Sequence, residues 1–542
     1  MIGTQPVQGR CTLCPAGCEL HVAPSGPDTW RGEPPRTCGQ GLCPRGSALV
    51  ELLTHRNRIL SPFRRVDGQA HAADLASALR AILNAARGKE LVLLMDGNVP
   101  WEEMTAAAGR CRAWPQARLC LVIEPADEQL LLGTEAGGAE YLSSVQLADC
   151  DGFLVVGDVF SANPACARGI HDCRKAKPRA PVVVIDPAAG IASKFATHRV
   201  DVAPGMELAA VLSVAAQAGI KLEGLTATPR QEVPPAAPAG QAIVDCTRLG
   251  VVIAADYGRC GDWRQIGYAA GRIAKSLGGG VAPQTVGANA LAAVRLAKKL
   301  ETISLAEAMS PGQVVRVAIG CDVLGMLGWR NGDVFAAASP LPSCTTGAAQ
   351  VVLPVAMTGE LGGTYLLDGG SASEVAALLP LPAGVLTPAG IVAALADEAG
   401  ARKTGHLEDA PLPERIDPGA GVAGASPGVP EAPVLLIARK AMHSGCGSLT
   451  RHASWPSAIQ SLPELRVAPP DARQMGLKNL DVAAVAAGGG SVRARVRLSP
   501  ELSCGRYVLS DGFPAARALV PSVINLKEGV VAATPAAARV DV

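Results

Sequence analysis

The chain has 542 residues, 49% of them hydrophobic and 18% charged, and its formal net charge is +1. This balance provides no electrostatic footprint for nucleic acid or for an anionic membrane, so neither partner is expected. At roughly 150 residues per domain, the length predicts three or four domains. No apolar run reaches the roughly 18 residues that span a bilayer. The first ten residues contain neither an apolar signal region nor a twin arginine, which predicts a cytoplasmic protein.

Four cysteines near the amino terminus have the spacing of a metal site. Cys11, Cys14 and Cys18 lie close together, and Cys43 begins the run Cys-Pro-Arg-Gly. Four such thiolates are what a 4Fe–4S cluster requires, although four-cysteine zinc sites also use short Cys-x2-Cys hooks. The spacing and the long gap before Cys43 favour the cluster over zinc. Cys38 is the alternative fourth ligand.

From residue 70 onwards, helical and strand patterns alternate. Amphipathic segments predict helices over 72–86 and 102–114. Apolar or β-branched runs predict buried strands, which lie at 90–95, 117–123, 153–156, 181–185, 251–255, 315–319 and 351–354. The alternation is typical of a parallel sheet with helices on both faces.

Several glycines and aspartates follow these predicted strands directly. Ligands of open α/β sheets bind beyond the carboxyl ends of the strands. The residues are Gly157, Asp158, Asp186, Gly320 and Asp322. They either contact a nucleotide-like ligand or form ordinary turns between a strand and a loop.

Two segments rich in Pro and Ala, 226–241 and 401–433, predict linkers. After the second linker the pattern changes to short strands separated by turns, at 434–438, 466–468, 482–486, 491–498 and 506–510. This spacing predicts a small β-barrel.

Several separate motifs occur along the chain in a characteristic order. They are Cys11–Cys18 with Leu42–Gly46, Leu60–Arg64, Ala148–Asp158 with Asn163 and Pro164, Val184–Pro187, Pro204–Glu207, Gln350–Pro354 with Glu360 and Gly363–Tyr365, and His443–Gly445 with Thr450, Arg451, Pro470–Ala472 and Met475–Gly476. In this order they resemble the molybdopterin-dinucleotide oxidoreductase superfamily. Its members include the catalytic subunits of formate dehydrogenase and nitrate reductase, and the large iron–sulfur subunit of respiratory complex I shares the body.

The resemblance implies an α/β fold with an added module at each end. The predicted organisation is a 4Fe–4S module (1–62), two interleaved α/β subdomains (63–116 plus 284–400, and 117–283), a linker (401–433) and a molybdopterin-dinucleotide-binding β-barrel (434–542). The second of these subdomains resembles a nucleotide-binding domain.

The resemblance also implies two cofactors, a 4Fe–4S cluster and a molybdopterin guanine dinucleotide with molybdenum or tungsten. Asp158, Asp186 and Glu207 would accept hydrogen bonds from ribose or guanine. Arg45 would stand between cluster and pterin at an electron-relay position, or would simply be a surface or cluster-screening cation. The other implied cofactor contacts come from strand-end turns and the start of the barrel; they are Gly157, Gly320, Asp322, His443, Ser444, Gly445, Thr450 and Arg451.

The chain departs from the superfamily where the metal would be bound. Cys120 is the nearest equivalent of the protein ligand to the metal, but Leu121 follows it where formate dehydrogenases have His. Cys120 also fits a plain buried strand. No Arg occurs in 281–289, where the family's substrate-facing Arg should fall, so formate oxidation is not expected. Cys260 is interpreted as a structural thiol.

Three hypotheses follow. The chain is a pterin-dependent oxidoreductase subunit acting on an unidentified small molecule, or a non-catalytic electron-transfer or scaffold subunit that has lost the metal site. The third hypothesis is a subunit similar to the catalytic chain of formylmethanofuran dehydrogenase. In each redox role the cluster needs a partner, either an iron–sulfur or a flavin electron-transfer subunit.

Overall fold

The computed structural model describes residues 7–26, 29–33, 41–223, 225, 236–258, 261–329, 332–401, 433–440, 442–443, 447–526, 530–533 and 535–541. Four residues singled out from the sequence lie outside the described residues: Cys38, Cys260, Ser444 and Gly445. The predicted linker 401–433 also lies outside them, apart from its two end residues.

A small antiparallel sheet and one helix form the amino-terminal module. The sheet contains β1 (Val7–Arg10), β2 (Glu19–Gly26) and β3 (Thr29–Glu33), and the helix is α1 (Pro44–Leu53). The backbone N–H of Cys11 donates to the Cys18 carbonyl at 2.8 Å, which closes the loop that holds three of the four cysteines. Cys43 is the N-cap residue of α1, so the fourth cysteine sits at a helix start.

Next come the elements that begin the first body sheet. They are β4 (Phe63–Val66), β5 (Gln69–Ala72), α2 (Leu75–Ala85), β6 (Glu90–Asp96), α3 (Trp101–Arg112), β7 (Ala117–Val122) and α4 (Pro125–Gly137). Both predicted helices and both predicted strands of this region are present. The apolar run 91–95 is entirely buried in β6, as its lack of alternation predicts.

The second sheet follows without interruption. Its elements are β8 (Glu140–Tyr141), β9 (Gly152–Val156), α5 (Val159–Ala162), α6 (Pro164–Ala176), β10 (Val182–Ile185), β11 (His198–Val200), α7 (Glu207–Gln217), α8 (Ala236–Ile243), β12 (Leu249–Ile253), α9 (Trp263–Ser276) and β13 (Gly280–Pro283). All its strand pairs are parallel, in the order β11-β10-β9-β12-β13-β8. Helix α8 begins inside the predicted linker 226–241, whose second part is therefore helical.

The chain then returns to the first sheet. The returning elements are α10 (Ala290–Lys299), α11 (Leu305–Ala308), β14 (Val314–Ile319), α12 (Val323–Leu327), β15 (Ala336–Ala338), α13 (Cys344–Ala348), β16 (Val351–Leu353), β17 (Gly363–Leu367), β18 (Ser371–Val375) and α14 (Pro388–Glu398). The completed sheet has the order β5-β4-β16-β15-β14-β6-β7. Elements of the two sheets thus alternate along the chain; the first sheet also contains the antiparallel pairs β16–β4 and β4–β5.

One predicted boundary needs correction. The division at residue 117 would assign β7 to the second subdomain, but β7 pairs in parallel with β6, in the first sheet. The physical reason is that the chain leaves the first sheet only after β7, through α4. The apolar run 117–123 identifies a strand but cannot show which neighbour it pairs with.

The carboxy-terminal region forms a curled sheet. Its elements are β19 (Val434–Ala438), α15 (Ser454–Ile459), β20 (Glu464–Val467), α16 (Pro469–Gln474), β21 (Val482–Ala487), β22 (Gly490–Leu498), β23 (Arg506–Ser510), α17 (Pro514–Arg517), β24 (Val523–Asn525), β25 (Val530–Ala532), β26 (Ala536–Ala537) and β27 (Arg539–Asp541). Strands β26 and β27 are consecutive in the chain, yet they pair with opposite edges of the sheet, β19 and β21. The predicted barrel is therefore present only in part, as a curled half-barrel sheet, and we refer to it below as the barrel.

Helices α4 and α9 cross at unusually close range. Each presents a Gly-x3-Gly face, Gly133 with Gly137 and Gly267 with Gly271. A Cβ atom added at Gly133 would lie 1.9 Å from the Arg264 carbonyl oxygen, and one at Gly271 would lie 2.8 Å from the Gly137 Cα. The backbones of the two helices pack directly on each other. This contact holds α4, through which the chain leaves the first sheet, against α9 of the second sheet.

We predict that Gly133→Ala lowers the free energy of unfolding by about 1–3 kcal/mol, because the added methyl group forces the helices apart. Gly347→Ala, in α13, is the matched control, because a Cβ there meets nothing within 4 Å. The control should be neutral or stabilising by about 1 kcal/mol. Chemical denaturation measures both, and equal stability of the two variants would contradict this description of the interface.

Candidate functional site

The barrel covers the carboxyl ends of strands from both body sheets. Arg466 of β20 donates to the Ala189 carbonyl after β10 at 2.8 Å, and Arg517 of α17 donates to Glu124 after β7 at 3.0 Å. Two spaces lie along this seam. We call them the outer cleft, beside the second sheet, and the inner chamber, beside the first.

The outer cleft is an open space of about 920 Å³, part of it bulk solvent, between the turns after β9 and β10 and the barrel strands β19, β20 and β22. Its charged side chains are mostly basic and include Lys194, Lys440, Arg466 and Arg497. Glu464 accepts from Lys440 at 2.7 Å and lies 3.5 Å from Arg497. The other two named cations, Lys194 and Arg466, suit a ligand with phosphate groups.

Asp158 and Asp186 lie at this cleft's body side, but their carboxylates already stabilise the turns that carry them. Asp158 accepts from the Ser161 hydroxyl at 2.7 Å and from the Ile191 N–H at 3.1 Å. Asp186 accepts from the N–H groups of Ala188 at 3.0 Å and Gly190 at 2.6 Å. The turn function thus accounts for both residues, and contact with ribose or guanine stays a prediction.

The other predicted contacts are distributed over several places. Gly157 follows β9 with φ +88°, and Glu207 is fully buried at the start of α7. Gly320 and Asp322 line the inner chamber rather than the outer cleft. A position after a strand therefore identified residues in turns, but it could not show whether those turns contact the same ligand.

His443 and its neighbours stand at the start of the barrel. His443 Nδ1 lies 3.2 Å from the Thr450 hydroxyl, and its ring packs edge-on against Phe513. Burial lowers the pKa of His443 to about 4, so the ring is neutral at pH 7. Arg451, the residue after Thr450, donates to the Gly447 carbonyl at 3.2 Å.

The inner chamber consists of two adjoining cavities that share Asp96, Asn98, Val286, Gly287, Gly320 and Leu449 in their walls. Asp96 ends β6, which lies between β14 and β7 in the first sheet. Burial raises the pKa of Asp96 to about 6, although Asn98 donates to this carboxylate through both its backbone and its side chain. Asp96 was not among the site residues predicted from the sequence. It directly follows the predicted strand 90–95, as Asp186 follows the predicted strand 181–185, so the same rule would have found it.

Two arginines from the barrel form buried ion pairs with Glu124 and Asp127, which line this chamber. Arg517 Nη1 donates to both Glu124 oxygens at 3.0 Å, and its Nε and Nη2 donate to Asp511 at 2.8 and 2.7 Å. Arg439 Nη2 donates to Asp127 at 2.7 Å. Each pair joins the barrel to the body, and each arginine is neutralised by carboxylates.

The thiols of the amino-terminal module lie close enough to perturb one another. Burial, followed by the neighbouring thiols, raises the pKa of Cys11 well above its usual value and that of Cys18 to about 12. Within the described ranges, no three His, Cys, Asp or Glu side chains are arranged to hold a metal ion. In a four-iron cluster each cysteine binds a different iron atom, so its ligands need not converge on one point.

Arg45 connects this module to the body. Its side chain is buried, hydrogen-bonds to Cys43, and donates through Nη2 to the Ala162 carbonyl at 2.7 Å. Ala162 belongs to α5, the helix that begins directly after Asp158. Arg45 therefore spans the distance between the thiol group and the body beside the outer cleft, and it is not a surface cation.

Cys120 is fully buried in β7, in an apolar cluster with Val92, Leu94 and Val122. The residues of this strand end that line the inner chamber are Val122, Ile123 and Glu124. The thiol thus lies where the buried-strand interpretation places it. Its role as a metal ligand stays a prediction.

We predict that Arg517→Met destabilises the protein by about 3–5 kcal/mol, because Glu124 and Asp511 would be left as unpaired buried charges. The double variant Arg517→Met with Glu124→Gln should recover part of this loss, since one of the two charges is gone. Thermal or denaturant unfolding measures the difference. If the double variant were less stable than the single one, the ion pair would not be the source of the effect.

None of the described helices combines the length and the hydropathy needed to cross a bilayer. Comparison of the sequence with family models and with curated proteins finds no match. Among solved structures, the chain is similar to acetylene hydratase from Pelobacter acetylenicus, with a TM-score of 0.68 and 12% identity, over 98% of this chain and all of that one. At this identity the likeness shows a shared fold, and it does not single out formate dehydrogenase. The chain therefore has the acetylene hydratase fold over nearly its whole length.

Proposed function

We propose that this chain is an iron–sulfur, molybdopterin-type oxidoreductase subunit. Its 4Fe–4S cluster would be held by Cys11, Cys14, Cys18 and Cys43, and its pterin dinucleotide by the outer cleft. The observation that carries the proposal is Arg45, which is buried between the thiols and the body at Ala162. The shared fold with acetylene hydratase supports it.

The outer cleft fits the anionic part of such a dinucleotide. Lys194 and Arg466 would pair with its phosphates, and the turn at Ala189–Ile191 would lie beside its nucleoside. When bound, the group would supply the metal-centred redox chemistry, and the cluster would pass electrons to an iron–sulfur or flavin partner. Arg45 would fix the separation of the two centres, because its fork is held at both ends.

A second candidate is an electron-transfer or scaffold subunit that keeps the cluster without metal chemistry. It is favoured by the placement of Cys120 in the apolar core and by the ion pairs that neutralise Arg439 and Arg517. The two candidates differ in whether molybdenum or tungsten is present. Formate oxidation is not proposed, because no basic side chain lines the inner chamber among the described residues.

Elemental analysis of the anaerobically purified protein tests the cluster. We predict about four irons per chain, with molybdenum or tungsten present for the first candidate and absent for the second. Cys43→Ser should lose most of the iron, whereas Cys504→Ser, an exposed thiol, should keep it. Zinc in place of iron, or iron retained in Cys43→Ser, would count against a cluster on these cysteines.

Reversing a charge tests the outer cleft. Arg466→Glu should lower the bound pterin by about tenfold or more, because a carboxylate would then face the phosphates. Arg493→Glu, an exposed change on β22 away from the cleft, should leave the pterin content unchanged. Pterin released by denaturation is measured by its fluorescence after oxidation. Equal loss in both variants would mean that this cleft does not hold the phosphates.

A further inference from the structure

The inner chamber differs from the outer cleft in the sign of its charge. Among the described residues, its walls contain no Lys, Arg or His. They contain four carboxylates, of which three have close partners in the protein. Glu124 is paired with Arg517, Asp127 with Arg439, and Asp322 accepts from Thr345 through its N–H and its hydroxyl, both at 2.8 Å.

Asp96 is the remaining carboxylate. Its Oδ1 accepts from the Asn98 backbone N–H at 3.0 Å and from the Asn98 side-chain nitrogen at 2.9 Å. Its Oδ2 accepts no hydrogen bond from the described residues. One carboxylate oxygen is thus held by the protein, and the other remains available to a ligand in the chamber.

Asn98 offers a second acceptor beside it. Because the side-chain nitrogen must face the carboxylate, the orientation of the amide is determined, and Oδ1 points the other way. Asn98 Oδ1 is buried and has no hydrogen-bond partner among the described residues. Gly287 leaves room for it, since a Cβ atom there would lie 1.4 Å from Asn98 Oδ1. A buried acceptor without a donor is costly unless a ligand or water supplies one.

We propose that the inner chamber binds a small molecule that donates hydrogen bonds and carries no negative charge, held by Asp96 Oδ2 and Asn98 Oδ1. A primary amide has this chemistry, because its NH2 group supplies two donors. An anion of the same size has no donor, meets no described cation, and faces a carboxylate, so it would lose its hydration without compensation.

The Asp96 carboxyl ends β6 at the chamber wall, and its free oxygen is the one that would touch the ligand. Burial raises the pKa of this carboxyl to about 6, so above that pH it is ionised and accepts hydrogen bonds. Asn98 would act as a positioning residue by holding the other oxygen.

This inference goes beyond the proposed function and does not rest on it. The experiment uses the full-length protein as purified, with acetamide and acetate as isosteric probes that differ in charge and in hydrogen-bond donors. Binding is followed by saturation-transfer NMR titration at pH 8, where Asp96 is ionised. We expect acetamide to bind saturably and acetate not to bind.

Three variants sharpen the test. Asn98→Ala should weaken acetamide binding about tenfold, because one hydrogen bond is lost. Asp96→Asn should admit acetate at pH 8, because the repelling charge is removed and an amide donor is added. Asp67→Asn, an isosteric change in an exposed turn, is the control and should behave as the wild type.

A crystal of the wild-type protein soaked in acetamide provides a readout that does not depend on the variants. Density between Asp96 and Asn98 is expected. The inference is overturned if acetate binds the wild type as tightly as acetamide, if acetamide does not bind, or if Asn98→Ala binds it unchanged. Metal and pterin analysis tests the proposed function separately. Acetamide binding in a protein that holds no pterin would therefore contradict the proposed function and would leave the inference about the inner chamber intact.

Discussion

The buried ion pairs between the barrel and the body are the constraint on which the site depends. Arg517 is 1% exposed and holds Glu124 and Asp511 at once, while its guanidinium stacks on Tyr257 at 4.3 Å. Arg439 adds the pair with Asp127. Such pairs contribute little net stability, since their desolvation offsets their attraction, but breaking one would leave an unpaired buried charge. They set how the barrel faces the strand ends.

This arrangement divides one seam into two chemically different spaces. The outer cleft keeps cations that are free to meet a phosphate, whereas the arginines nearest the inner chamber are neutralised by carboxylates. A long anionic ligand is therefore favoured at the outer end and a non-anionic one at the inner end. The same charge pattern argues against a carboxylate substrate such as formate, because that substrate would find no described cation in the inner chamber.

Arg45 is one of the side chains that join the amino-terminal module to the rest of the molecule; Glu51, which accepts from the Ser454 N–H, is another. Arg45 is held at one end by Cys43 and at the other by the Ala162 carbonyl, beside the turn that carries Asp158. The thiol group and the edge of the outer cleft are thus joined by a short covalent and hydrogen-bonded path. This geometry is what makes an electron-relay role for Arg45 physically reasonable, and it separates Arg45 from an ordinary surface cation.

The sequence by itself determined the types and order of the elements, because periodicity and apolar runs are local properties: α2, β6, β9 and the barrel strand β19 lie close to where the patterns predict them. It also determined the grouping of Cys11, Cys14 and Cys18, which a single loop brings together. Only the tertiary structure decided that β7 joins the first sheet, that Cys120 faces a core, and that Asp96 and Asn98 share a chamber. Those outcomes depend on pairing and packing between residues far apart in the chain, and a local pattern carries no information on which neighbour a strand or a charge will meet.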